Sequence, residues 1–352
     1  MPSQCRTPTV PERGEEENLM KIKKRNFKPY VMQWLANKLE LGLGIGDIYY
    51  VAASGGVAYQ NLLDNGVPTS EIFTTVGAAE DATTTTNNDV VLVTPGAYAE
   101  TVELAWDKPH THLVGLGGPN QLGDYSEPNA VMYSTTITVA NVLNITGQNC
   151  QFHNINVQNN GANAACVSAV KLDKYGCYFK NMRISGCMAA TQAATALACS
   201  LWIRGAGMYP IFDNCVIGHD VWTTRTGANQ GVILFNESNT QANGGLFRNC
   251  QVLSVCETAT GNFVAVVGNN VVGRGWVFDN CIFNNYTTGT RMNQAFYQSA
   301  SNSINDRAIL LKDCFLNSKG CDAWQDSDYG NIYGNSGTAT AQGGKGIEIS
   351  EA

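Results

Sequence analysis

Between Phe152 and Leu316 one six-residue pattern of apolar and polar positions recurs six times. Its copies run from Phe152 to Val157, Phe179 to Ile184, Phe212 to Ile217, Phe247 to Val252, Phe278 to Phe283 and Leu311 to Leu316. The first and sixth positions are apolar, the third is Asn (Asp in the last copy), and the fourth is Ile, Met or Cys. The copies start 27, 33, 35, 31 and 33 residues apart. A repeat of that period builds a solenoid, a propeller or an array. Alternation with period two holds on either side of the third position and breaks there, as at a corner between two strands. Asn suits such a corner because it tolerates the left-handed backbone region and its amide bonds in both senses.

Stacking the copies predicts an internal ladder of Asn154, Asn181, Asn214, Asn249 and Asn280, closed by Asp313. Beside it runs an inward column in which Cys215, Cys250, Cys281 and Cys314 follow Ile155 and Met182, with an outer column of Phe. A third apolar strand precedes each pair, at Leu143–Ile145, Val170–Leu172, Leu201–Ile203, Val232–Leu234 and Phe263–Val267. Three strands per coil with a corner Asn describe an all-β fold, a right-handed single-stranded parallel β-helix. A propeller would need a hairpin turn in every repeat, and Asn-Gly pairs occur only sporadically. The expected organisation is an N-terminal arm with an amphipathic helix over 1–46, a capped β-helix over 47–335, and a tail over 336–352.

Upstream of the repeats, Val31, Trp34, Leu35 and Leu39 fall at helical spacing between Pro29 and Gly42. That helix either caps the solenoid or docks on a partner. A strand follows from Asp47 to Val51, and a short helix over Glu71–Asp81 places Phe73, Val76 and Ala79 on one face as a plug for the bore. Solenoids need such caps, because an open end exposes core and strand edges.

Composition narrows the partners. A net charge of −7 leaves no basic footprint for nucleic acid. No apolar run is long enough to span a membrane, and residues 1–28 have no apolar core of the signal-peptide kind. Four of the twelve cysteines fall on the inward column where Ile and Met replace them, so they read as reduced, buried hydrophobes rather than disulfides. No CxxC pair occurs and the four histidines do not cluster with cysteine, so neither a metal nor another cofactor is expected.

The stretch from about Asp47 to Gly117, with Gly96, Tyr98 and Glu100 in a Gly-x-Tyr-x-Glu turn, resembles the opening of the pectin methylesterase and pectate lyase-like superfamily, and the remainder resembles it by repeat architecture. The resemblance implies the β-helix fold. For an esterase it further implies two Asp carboxylates on the outer face of the first strand of consecutive coils, assisted by Arg and Gln. The matching strands carry Lys171 and Asp173, Trp202 and Arg204, then Ile233, Phe235 and Glu237, without the family's catalytic signatures. Asp173 and Arg204 read as a surface ion pair, and no aligned set of carboxylates faces a calcium ion as in the lyases. Aromatics near the loops, Tyr209, Trp222, Trp276, Tyr286 and Trp324, are candidates for a sugar stripe or a subunit contact. Non-secreted β-helices of this kind resemble phage virion proteins. The expectation is therefore a homotrimeric, non-catalytic virion component that contacts a viral capsid protein. The alternative is a carbohydrate-active β-helix acting on a polysaccharide.

Overall fold

The computed structural model describes residues 45–117, 130–220, 223–287, 289–304, 309–317, 319–325 and 332–334, together with Val31, Trp34 and Asn37. The repeat becomes a three-sided parallel β-helix. Sheet A has 11 strands, and sheets B and C have 8 each, with strands contributed in turn by successive coils. In sheet A the repeat is in perfect register: Phe152 pairs with Phe179, then Phe212, Phe247, Phe278 and Leu311. Sheet B holds the second half of each copy, and sheet C holds the third strand, for example Ser168–Leu172, Leu201–Ile203 and Gly231–Asn236.

The corner explains the pattern. Asn154, Asn181, Asn214, Asn249, Asn280 and Asp313 all have φ between 51° and 55°. One left-handed residue resets the alternation, so the residue two before it and the residue after it both point inward. The Phe column is therefore not outer. Phe152, Phe179, Phe212, Phe247 and Phe278 are fully buried, and from Phe179 on their rings stack at 4.4 to 4.6 Å. The ladder, in turn, is not internal. Asn154 and Asn181 are half-buried, while Asn214, Asn249, Asn280 and Asp313 are exposed, because the turn that brings its neighbours inward thrusts the corner out. Its rungs run backward along the axis: the Nδ2 of Asn181 donates to Asn154 Oδ1 (3.0 Å), Asn214 to Asn181 (2.7 Å) and Asn280 to Asn249 (2.9 Å).

The N-terminal mouth is closed by helices. Helix α1, Val57–Asp64, lies against the apolar cluster of Ile48, Tyr50, Ile72 and Val90 through its one buried side chain, Leu62. Helix α2, Val76–Ala82, sends Val76 and Ala79 into the bore. The helix expected over Glu71–Asp81 is shorter, because Ile72 and Phe73 pair as a strand with Tyr50 and Val51. Thr75 then supplies the N-cap, its Oγ1 accepting from Ala78 N at 3.2 Å. Val31 and Trp34 are helical; Val31 packs on the cluster around Ile48, and Trp34 is exposed. Leu35, Leu39 and the tail over 336–352 lie outside the described residues.

Candidate assembly face

Outward positions of sheet A stack as strictly as inward ones. The register places Tyr178, Ile211, Leu246, Val277, Leu310 and Tyr333 in one column along the solenoid axis. Strands lie about 4.8 Å apart, so the column is about 24 Å long. Ile211 and Leu310 are 38% and 41% exposed, and the other four are partly covered.

The neighbouring outward column alternates in charge: Lys180, Asp213, Arg248, Asp279, Lys312. Four of these five charges are paired within the chain. Arg248 grips Asp213 with Nε and Nη2 at 3.2 and 2.8 Å, the fork geometry that favours arginine. Tyr178 adds its hydroxyl to Asp213 at 3.2 Å, and Lys312 pairs with Asp279 at 2.8 Å. Arg248 holds the Asp213 carboxyl below its ordinary range.

On the other side of the apolar column lies the corner leading in from sheet C. Its equivalent positions are Asn149, Gly176, Tyr209, Gly244 and Gly275, all at positive φ. Tyr209 is the odd member. A bulky side chain at φ 54° is unfavourable, since the Cβ crowds the carbonyl, and this one is 63% exposed. The Tyr209 backbone N–H donates to the carbonyls of Asn243 and Gly244 at 3.1 and 3.0 Å.

Sheet C's outer face lacks the carboxylate pair that the resemblance implied. The register pairs Trp202 with Leu234, and Leu234 with Ala265, so Ile233 and Phe235 point inward rather than outward. Glu237 lies just beyond the strand Gly231–Asn236. Arg204 joins both acids of this region, donating to Asp173 at 2.9 Å and to Glu237 at 2.6 Å, while its guanidinium lies 5.9 Å from the Trp202 ring centre. Both carboxylates are thus held by one guanidinium. Among the described residues no three His, Cys, Asp or Glu side chains converge as a metal site. Of the candidate sugar-stripe aromatics, Trp276 and Trp324 are buried, Tyr209 and Tyr286 are exposed, and Trp222 lies outside the described residues.

The eleven described cysteines are free thiols. Those of the corner column share one bond: Cys215, Cys250, Cys281 and Cys314 donate to the carbonyls of Phe179, Phe212, Phe247 and Phe278, at 3.6, 3.4, 3.3 and 3.2 Å. Burial pushes the Cys250 thiol well above its ordinary range, which keeps it protonated and inert.

Neither the apolar column nor Tyr209 is visible in the sequence alone. Uneven loops hide the register that aligns them, although the Phe-to-Phe spacing, once trusted, gives it.

No family model and no curated protein matches the chain. Among solved structures it resembles pectin methylesterase PemA of Erwinia chrysanthemi, at 13% identity and a TM-score of 0.52, covering 86% of this chain and 93% of that one. Two others are the pectate lyase Pel9A (13% identity, TM-score 0.44, 82% and 81% covered) and the ORF18 protein of Geobacillus virus E2 (13%, 0.42, 70% and 49%). The likeness to PemA shows a shared β-helix fold.

Proposed function

We propose that the chain is a non-catalytic structural protein of a virus particle, a capsid-associated decoration or cement protein built as a side-by-side homotrimer. The observation that carries this reading is the apolar column of sheet A. It runs along the solenoid axis, so it is buried best by another rod lying parallel to it. Three copies around an axis parallel to their own solenoids bury three such columns together. Four of the five flanking charges are paired in cis, so bringing copies together costs little desolvation of unpaired charge. Tyr209, strained and exposed beside Ile211, finds its cover in the same contact. Attachment to the capsid protein falls to the arm over 1–41, whose Trp34 is exposed, and three such footings on one trimer multiply a weak affinity.

Light scattering on the purified chain tests this. The expected mass is three times that of the chain, falling to one chain in Leu246→Lys and Ile211→Lys while circular dichroism is unchanged. Deleting residues 1–28 should leave the β-helix folded and abolish capsid attachment. A monomeric native protein overturns the assembly. The second reading, a carbohydrate-active β-helix, draws on the fold likeness to PemA. Pectin should give neither methanol nor unsaturated product; turnover abolished by Asp173→Asn or Arg204→Ala would establish that reading instead.

A further inference from the structure

A cleft of about 270 Å³ opens beside helix α2 at the capped end, remote from sheet A's later coils. Its lining is acidic: Glu80, Asp81, Glu100, Glu103 and Asp107, against one cation, Lys108. Two of the acids have work inside the chain. Glu100 Oε1 accepts from Val76 N and Gly77 N at 2.9 and 3.3 Å, closing the first turn of α2. Glu103 accepts from Asn141 Nδ2 at 2.8 Å and from Asn144 Nδ2 at 2.7 Å. Lys108 is spent on the other end of α2, donating to the carbonyls of Glu80 and Asp81 at 2.7 and 2.9 Å.

Glu80 is different. It is 2% exposed, its Oε2 lies 3.8 Å from Lys108 Nζ, and its Oε1 is buried without a hydrogen-bond partner. Leaving such an acceptor unmet is costly, and the remedy is a donor entering from the cleft. Asp81 and Asp107 are exposed at the rim, and with Glu80 they outnumber the single lysine. The donor that answers both the orphan oxygen and the excess negative charge is a cation with N–H groups. A calcium ion would ask for six to eight oxygens, and no three acidic, His or Cys groups converge among the described residues.

From this geometry we infer that the cleft binds an alkylammonium group, either a free amine or a lysine side chain, with Glu80 as its buried acceptor and Asp81 and Asp107 as its electrostatic rim. Burial raises the Glu80 carboxyl to about 7, with the Asp107 and Asp81 charges adding to the rise and with Lys108 and the Asp107 backbone N–H pulling it down. An ammonium ion favours the ionised carboxylate, so binding releases a proton and tightens as pH rises through neutrality.

Calorimetric titration of the full chain with cadaverine and with Nα-acetyl-lysine methylamide tests the site, and the tighter probe names the source. Binding should strengthen between about pH 6 and pH 8, weaken roughly tenfold or more in Glu80→Gln, and be absent for tetramethylammonium, which has no N–H. Asp107→Asn, an exposed change that leaves the fold intact, should weaken it by about two- to fivefold. No heat with either probe, equal binding of tetramethylammonium, affinity indifferent to pH, or unchanged affinity in Asp107→Asn each overturns the assignment. So does calcium binding that displaces the amine.

Discussion

The left-handed residue at the corner between sheets A and B decides which side chains of the repeat see water. The Asn corner rewards conformation more than bonding, since Asn249 is exposed and its Oδ1 accepts one rung bond from Asn280. Asn249→Ala should destabilise by about 1–2 kcal/mol, the cost of a Cβ in the left-handed region without Asn's local bonding. Asn249→Gly should cost roughly half that, because glycine keeps the turn and loses only the rung. Urea unfolding that finds the two variants equal would refute the conformational account. At Cys250 the inward side chain is small and its thiol meets the Phe212 carbonyl. Cys250→Val should fold with a loss of about 1 kcal/mol, and Cys250→Asp should fail to give a cooperative melt, since a buried carboxylate there has no partner. The ladder residues were legible from the sequence and their exposure was not. Parity counted straight through the corner sends Phe outward, and only the positive φ corrects it.

Strands were easier to read than helices. Each third strand sits in sheet C because its Val, Leu and Ile stretch is bounded by polar turns on both sides. Helix α1 escaped notice because Gly56 gives it no side-chain cap and Leu62 is its only buried residue, so its apolar periodicity is weak. Helix α2 is pinned from outside by Glu100, a member of the Gly-x-Tyr-x-Glu turn. Tyr98 fixes that turn through a 2.6 Å bond between its hydroxyl and Thr94 Oγ1. The turn thus has a structural task, to hold the plug over the bore. Glu100→Ala should cost about 1–2 kcal/mol, the usual worth of an N-terminal cap, and should raise hydrogen exchange first in residues 76–82. Exchange rising equally along the solenoid would argue against a local role.

Across the whole molecule, acid should loosen the fold. His112 and His219 are held neutral by burial, with pKa values pushed down to about 4, whereas the unfolded chain protonates them near 6.5. Their contribution is complete above about pH 6.5 and is lost as pH falls toward 4, on the order of 2–3 kcal/mol each. Glu80 acts oppositely, its raised pKa giving stability below about pH 4.5 that fades as pH rises through 7. Glu100, also raised by burial, adds to Glu80 in the same sense, but the two histidines with their large shifts outweigh the pair, so urea midpoints should climb from pH 4 to pH 6.5, and His112→Gln should flatten the slope. A flat native profile would contradict the burial of the neutral rings. At this scale the sequence foretold a rod but not the apolar column on its outer face, because that column is spread over residues tens of positions apart. The in-register stacking carries one more consequence. Ile211 and Leu246 occupy equivalent places one coil apart, so the chain can be rejoined between them without disturbing any other register. Excising residues 212–246 should give a protein that still folds and is shorter by one strand spacing, about 4.8 Å. Reach is then a heritable quantity that changes in whole steps, gained or lost by duplicating or deleting one stretch of gene, while the plug at one end stays the same.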